Sequence, residues 1–267
     1  MRRSTAQRRR NAPKTVPKTA NTKDYKAMSE SIIQAKSAFI GNISHEIRTP
    51  MNAIMGFAQM LQNTPLNEAQ ADYVNVIIDS GKKLLLIISN LLDLSNLQLG
   101  KNSLDLKPCH PRTISDKLWQ HFQPLITAKR LNPVFECDAA IPELNLDCDK
   151  VERVVSFILS NAIKYTETGF VALKTSFKRL NDNEVTLIVE IADSGIGISE
   201  DKLPHIFDVF EQADNSITRR YSGLGIGLGL SRQIVVLLGG KIRVQSVVDE
   251  GSRFFIEIPA TIPKAKS

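Results

Sequence analysis

The chain has 267 residues, 42% hydrophobic and 23% charged, a globular composition sized for one or two domains. No run approaches the ~20 consecutive apolar residues of a membrane helix, and no apolar signal core follows the first arginines. Both absences count against an integral membrane or secreted protein and fit a cytoplasmic one. Three cysteines, Cys109, Cys137 and Cys148, are odd in number and lack metal-ligand spacing. Neither a disulfide framework nor a zinc site is expected, and each thiol is read as packing in a reducing cytosol.

The net charge of +6 sits at one end. Residues 1–26 carry nine basic side chains against Asp24, a net +8, which leaves −2 for the rest. With Pro13, Pro17 and few large apolar residues, residues 1–27 read as a disordered, solvated tail. An acidic-lipid or nucleic-acid patch, or an organelle transit peptide, would share this composition. The balance of the ordered part gives no reason to expect a nucleic-acid partner.

Residues 28–100 read as two helices. Ile40, Ile43, Ile47, Ile54, Phe57 and Leu61 fall on one heptad seam with Pro50 in it. Asn63-Thr64-Pro65 ends the first helix, and Asn67 is a capping candidate for the second. The second seam is Tyr73, Ile77, Ser80, Leu84, Ile87, Leu91 and Leu94. Further apolar residues at Ile78, Leu85, Leu86, Ile88 and Leu92 exceed what one neighbour buries. From this surplus we expect a homodimer, two antiparallel hairpins forming a four-helix bundle. Cover by the second domain is the alternative.

His45 falls at the f position, farthest from the seam, beside Glu46 and four residues before Thr49, which shares its face. Pro50 cannot donate to the Glu46 carbonyl, so a kinked or loosened turn is expected there. A second histidine at zinc-protease spacing is missing, so no metal is implied. Residues 36–57, KSAFIGNISHEIRTPMNAIMGF, resemble the phosphoacceptor box of two-component sensor histidine kinases. The resemblance implies that His45 is phosphorylated, that Glu46 is its general base or hydrogen-bond partner, and that Thr49 positions water if the protein dephosphorylates its partner. Imidazole is nucleophilic near neutral pH, and an adjacent carboxylate stabilises charge developing on the ring.

Residues 104–262 read as a mixed sheet with helices on one face. Helices are predicted over 112–130, 149–165 (with Asp149 as cap) and 228–238. Strands are predicted over 134–137, 144–146, 170–177, 185–192, 242–247 and 253–258. Three stretches carry chemistry. Asn161 offers a neutral oxygen to a hard cation, with Lys164 and Tyr165 beside it. Asp193-Ser194-Gly195-Ile196-Gly197 follows a strand, where a carboxylate can accept from an exocyclic amine and the glycines admit close approach. Ser222 to Ser231 alternates glycines at a helix start, where free amides bind phosphate. Each alone is an ordinary helix end or turn, and the last is neither a P-loop nor a Rossmann fingerprint.

Together and in order, these stretches resemble the nucleotide-binding boxes of the ATPase superfamily that includes histidine kinases, gyrase-type topoisomerases, Hsp90 chaperones and MutL proteins. The resemblance implies a two-layer α/β sandwich binding ATP and Mg²⁺. It implies that Asn161 holds Mg²⁺, Lys164 contacts phosphate and Asp193 contacts adenine. Gly195 and Gly197 would shape the base pocket, and Gly225, Gly227 and Gly229 would border the triphosphate. Phe207 to Gln212 resembles the family's phenylalanine box, residues 199–223 its lid, and Arg219 and Arg220 are candidates for the γ-phosphate. Phe157 stands where the family often has Asn or a catalytic Glu, which argues against an ATP hydrolase. Ile226 replaces a frequent Thr.

The expected fold is therefore α plus α/β, a dimeric hairpin bundle followed by a sandwich. The expected function is ATP-dependent autophosphorylation of His45 and transfer to the receiver domain of a response regulator. A dimeric docking module that phosphorylates weakly is the alternative, with Phe157 its support. A chaperone-like ATPase is opposed by His45, Glu46 and Thr49.

Overall fold

The computed structural model describes residues 22–99, 103–209 and 225–264. Helix α1 spans Thr22–Gln62, so residues 22–27 are helical rather than part of a disordered tail, and the remainder of the tail lies outside the described residues. Helix α2 spans Glu68–Gln98. Asn67 caps it as expected, in a reciprocal box: its carboxamide oxygen accepts from the Gln70 amide at 2.9 Å, and its own amide donates to Gln70 Oε1 at 3.0 Å. Across the turn, Gln62 Nε2 donates to Asn75 Oδ1 at 2.8 Å.

The stripe that closes the hairpin is not the predicted seam. Ala58, Val74 and Ile78 are buried with Leu66 against them, and Gly81 lies under Met51 and Met55. Small residues at 58 and 81 let the helix axes approach there. Ile54, Phe57, Leu61, Tyr73, Ile77 and Leu84 stay exposed, Phe57 at 68% and Tyr73 at 69%. Each helix carries two adjacent apolar stripes, and one neighbour buries only one of them.

The second unit contains β1 (Lys107–Cys109), α3 (Pro111–Ala128), β2 (Asn132–Cys137), β3 (Leu144–Leu146), α4 (Cys148–Tyr165), β4 (Phe170–Arg179), β5 (Glu184–Asp193), α5 (Gly227–Leu237), β6 (Lys241–Val247) and β7 (Gly251–Thr261). The sheet order is β1-β3-β7-β5-β4-β2, with β6 beside β7. Among the described strands only β2–β4 is parallel, so the sheet is mixed as expected. Alternation in β5 and β7 turns Val185, Leu187, Val189, Ile191, Phe254, Ile256 and Ile258 onto one face. There they bury against α3 and α4, through Ile126, Val154, Ile158 and Leu159.

Three details depart from the sequence reading. Strand β1 was not expected; it is three residues long and mostly exposed. The cap of α4 is Asp147, not Asp149: its Oδ1 accepts from the Lys150 amide at 3.2 Å. Cys109 and Cys148 are joined in a disulfide, with Cα atoms 6.8 Å apart. Pairing of β1 with β3, which runs directly into α4, brings together two residues separated by 39 in sequence. That proximity is created by topology alone and has no signature in the spacing.

The end of α2 is part of the second unit's core. Leu94 is buried in it, and Leu91 and Leu97 pack against it. Arg153 of α4 donates to Asn90 Oδ1 at 3.0 Å and pairs with Asp93. The sheet domain thus docks on the C-terminal part of α2.

Candidate active site

His45 and Glu46 are exposed on α1 while Ser44, beside them, is only 2% exposed. Hydroxyls bond back along the helix on both sides of the imidazole. Ser44 Oγ donates to the Ile40 carbonyl at 2.8 Å, and Thr49 Oγ1 donates to the His45 carbonyl at 3.2 Å. Pro50 lies inside α1, which remains one helix through it. The missing amide leaves the Glu46 carbonyl without its helical donor.

The nucleotide candidates gather along the last two turns of α4. Asn161, Lys164 and Tyr165 are all half-buried there. Lys164 Nζ donates to the Tyr165 hydroxyl at 3.1 Å and lies 4.7 Å from the centre of its ring. At the end of α4, the Ile196 amide donates to the Tyr165 carbonyl at 3.3 Å. Gly195 is required at this junction, since a Cβ there would stand 2.5 Å from that carbonyl oxygen. Gly197 has φ +67°, and a Cβ would meet the Val247 carbonyl oxygen at 2.0 Å, so only glycine fits without strain.

On the other flank lies the start of α5. Gly227 faces the ring of Phe157, whose Cδ1 would be 3.0 Å from an added Cβ. A Cβ at Gly229 would stand 2.8 Å from Val209 Cγ2 and 3.1 Å from the Phe207 carbonyl oxygen, and Phe207 meets Phe254 edge to face at 6.5 Å. Gly225 leads into this helix, and Ile226, its N-cap, supplies no side-chain cap. The first-turn amides carry the positive end of the helix dipole, a setting suited to phosphate. Arg219, Arg220 and the phenylalanine box from Phe210 onward lie outside the described residues.

Asp193 ends β5 and is 8% exposed. Burial pushes its carboxyl above the usual carboxylate range, although the amides of Gly195 (2.9 Å) and Ser252 donate to it and work the other way. A carboxylate so held, beside a glycine turn, suits an amine-bearing base. The neutral oxygen of Asn161, the ammonium of Lys164 and the first-turn amides of α5 are the groups that could meet a magnesium-bound triphosphate.

Sequence reasoning missed the group that fixes this end of α4. Lys129, just past α3, donates to the carbonyls of Ile163 (2.7 Å), Lys164 (3.3 Å) and Thr166 (3.3 Å). One ammonium thus satisfies the free carbonyls of the helix and opposes its dipole. No local pattern marks it, because its partners are more than thirty residues away. Lys129→Met is expected to cost about 1–3 kcal/mol of stability, measured by urea unfolding. An unchanged midpoint would refute the clamp.

By fold and site, this is an exposed helical histidine joined to an ATPase-type nucleotide sandwich. The family profile described as His Kinase A (phospho-acceptor) domain matches residues 35–100. The profile described as histidine kinase-, DNA gyrase B-, and HSP90-like ATPase matches residues 146–262. The chain belongs to the two-component sensor histidine kinases, of which it carries the catalytic core. Sensor histidine kinase GacS of Pseudomonas protegens is 36% identical over 233 residues, 86% of this chain and 25% of that protein. Signal transduction histidine-protein kinase BarA of Escherichia coli is 33% identical over 234 residues, 87% of this chain and 26% of that protein. The chain therefore spans about a quarter of the length of these relatives. The crystal structure of full-length ShkA in complex with AMPPNP matches with a TM-score of 0.72 at 27% identity, over 85% of this chain and 47% of that one.

Proposed function

We propose that the chain is an ATP-dependent protein-histidine autokinase that phosphorylates His45 and passes the phosphoryl group to an aspartate of a response-regulator receiver domain. The observation that carries this is the convergence of the 193–198 turn and the α5 start on α4, in a domain docked on α2, the helix paired with the one that bears His45. Bound Mg-ATP supplies the γ-phosphoryl group. Asn161 would hold the metal through its amide oxygen, Lys164 would offset phosphate charge, and Asp193 would accept from the adenine amine. Gly195 and Gly197 leave room for the base, and Gly225, Gly227 and Gly229 let backbone amides approach the phosphates, with Tyr165 steering Lys164. Arg219 and Arg220 are proposed for the γ-phosphate. His45 presents a ring nitrogen as nucleophile, and Glu46 holds the proton on the other nitrogen. Thr49 is poised to orient water once its hydroxyl leaves the His45 carbonyl. Such catalysis is mostly positioning and charge neutralisation.

We assign acceptance and transfer to residues 28–100 and nucleotide binding to residues 104–262. No helix among the described residues is long and apolar enough to cross a membrane, and a cytoplasmic site fits the use of ATP. Incubation with γ-labelled ATP and Mg²⁺ tests the proposal. Acid-labile, base-stable label on the chain supports it. Bound nucleotide without label would instead make Phe157 the mark of a docking module, and free phosphate without label would indicate an ATPase.

The exposed stripe of Ile54, Phe57, Leu61, Tyr73, Ile77 and Leu84 is the proposed homodimer face. Phe57→Glu, which would place a charge in that face, is expected to weaken dimerisation at least ~100-fold, read by sedimentation. An unshifted dimer would place the interface elsewhere.

A further inference from the structure

We propose that Cys109 and Cys148 are a reversible thiol–disulfide site that sets how firmly the sheet domain is fastened to the segment arriving from α2. The argument rests on what surrounds the bond. Asp147, the cap of α4, and three residues in its first two turns hold that connection. Lys150 Nζ donates to the Ser103 carbonyl at 3.3 Å. Asp147 Oδ2 accepts from the Asp105 amide at 3.0 Å. Cys148 holds Cys109. Arg153, one turn on, reaches back to Asn90 and Asp93 of α2.

Among these, the disulfide is the only covalent member. The Arg153–Asp93 and Lys150 contacts are partly exposed, and pairs of that kind contribute little each. Strand β1 has three residues, pairs only with β3 among the described residues, and shows an exposed edge. β3 is anchored in the core by Leu144 and Leu146, whereas β1 buries no side chain fully. Strand β1 therefore opens more readily than the rest of the sheet once the bond is gone. Both cysteines are half-buried, so small reagents can reach them. In a compartment kept reducing, a disulfide in an ATP-using protein is expected to be transient.

The chemistry balances with a peroxide as oxidant. The thiolate of one cysteine attacks the O–O bond of hydrogen peroxide, giving a sulfenic acid and, after proton uptake, one water. The second thiol then displaces the hydroxyl, forming the S–S bond and a second water. A small dithiol reverses the change by exchange and is itself oxidised to its disulfide. Cys137 is the free cysteine, with a thiol that burial pushes above the usual range, so it serves as the unpaired control.

The test uses the full chain in two redox states. Thiol counting by alkylation and mass spectrometry should give three free thiols in excess dithiothreitol and one, Cys137, after peroxide. Hydrogen exchange should then report the fastening. Amides over residues 104–110 are expected to exchange at least tenfold faster in the reduced chain, with β4 and β5 unchanged. Cys109→Ser should exchange at the reduced rate in either state. A bond that resists dithiothreitol in the folded chain would make it a permanent staple and overturn the proposal. Three free thiols after peroxide, or equal exchange in both states, would overturn it too. Neither readout needs kinase activity, so failure of the autokinase reading stays distinguishable.

Discussion

His45→Gln is expected to remove all acid-labile label from the chain, a loss beyond ~1,000-fold, with ATP affinity and melting temperature unchanged. The separation of effects follows from position. His45 is exposed on α1, and the bonds on either side of it run from Ser44 and Thr49 to backbone carbonyls, not to the imidazole. Glutamine keeps the helix, having a comparable helical preference, but its amide has no nucleophilic lone pair. Glu46→Gln should leave a remnant, since loss of a positioned acid–base group costs about 10²–10⁴-fold in rate. Measurement of label against time, beside differential scanning of the same samples, checks both. Label persisting in His45→Gln would put the acceptor at another residue.

Asp193→Asn should produce the opposite split, lost nucleotide and a retained or strengthened fold. Burial raises the carboxyl of Asp193 in the folded chain. A raised acid contributes stability that is full below its unfolded pKa and lost as pH rises through the folded value. At neutral pH the free protein therefore carries a charge it would rather protonate. Asparagine removes that cost while its oxygen still accepts from the Gly195 amide. Nucleotide affinity should fall ~10–100-fold, the worth of a hydrogen bond to a charged acceptor. Urea unfolding from about pH 3 to 7 should show the parent losing ground to Asp193→Asn as pH rises. Asp147 runs the other way. Burial opposes its charge, but donation from Lys150 and from the amides of Asp105 and Lys150 outweighs burial and holds the carboxyl below its usual range. Its contribution is present at neutral pH and lost as pH falls through that lowered value. A parent and an Asp193→Asn chain with parallel pH profiles would contradict the assignment.

Much of the sheet was legible because alternation is a local signal. The pattern over 170–177 and 185–192 recovers β4 and β5 to within a few residues, and Leu144–Leu146 is recovered whole. The glycine turns were legible because positions such as Gly197 are forced by backbone contact. The hairpin was only half legible. Periodicity finds one seam on α1, and on α2 a seam with surplus apolar residues, but not the stripe that closes the hairpin, where the small residues Ala58 and Gly81 lie. What sequence could not show are contacts made by topology: Lys129 on the end of α4, and Cys109 beside Cys148. Phe157 is intermediate. It was read as a departure from the expected polar residue, and the structure gives it a packing partner in Gly227.

Helix α4 joins two of these features in one rigid rod. Its 18 residues make a length of about 27 Å. The front end is pinned to α2 through Arg153 and to the incoming chain through Asp147, Cys148 and Lys150. The rear end forms the wall that carries Asn161 and Lys164. Held in front by α2 and behind by Lys129, with Val154, Ile158 and Leu159 buried between, the helix is a strut: it fixes the distance between the α2 contact and the nucleotide wall.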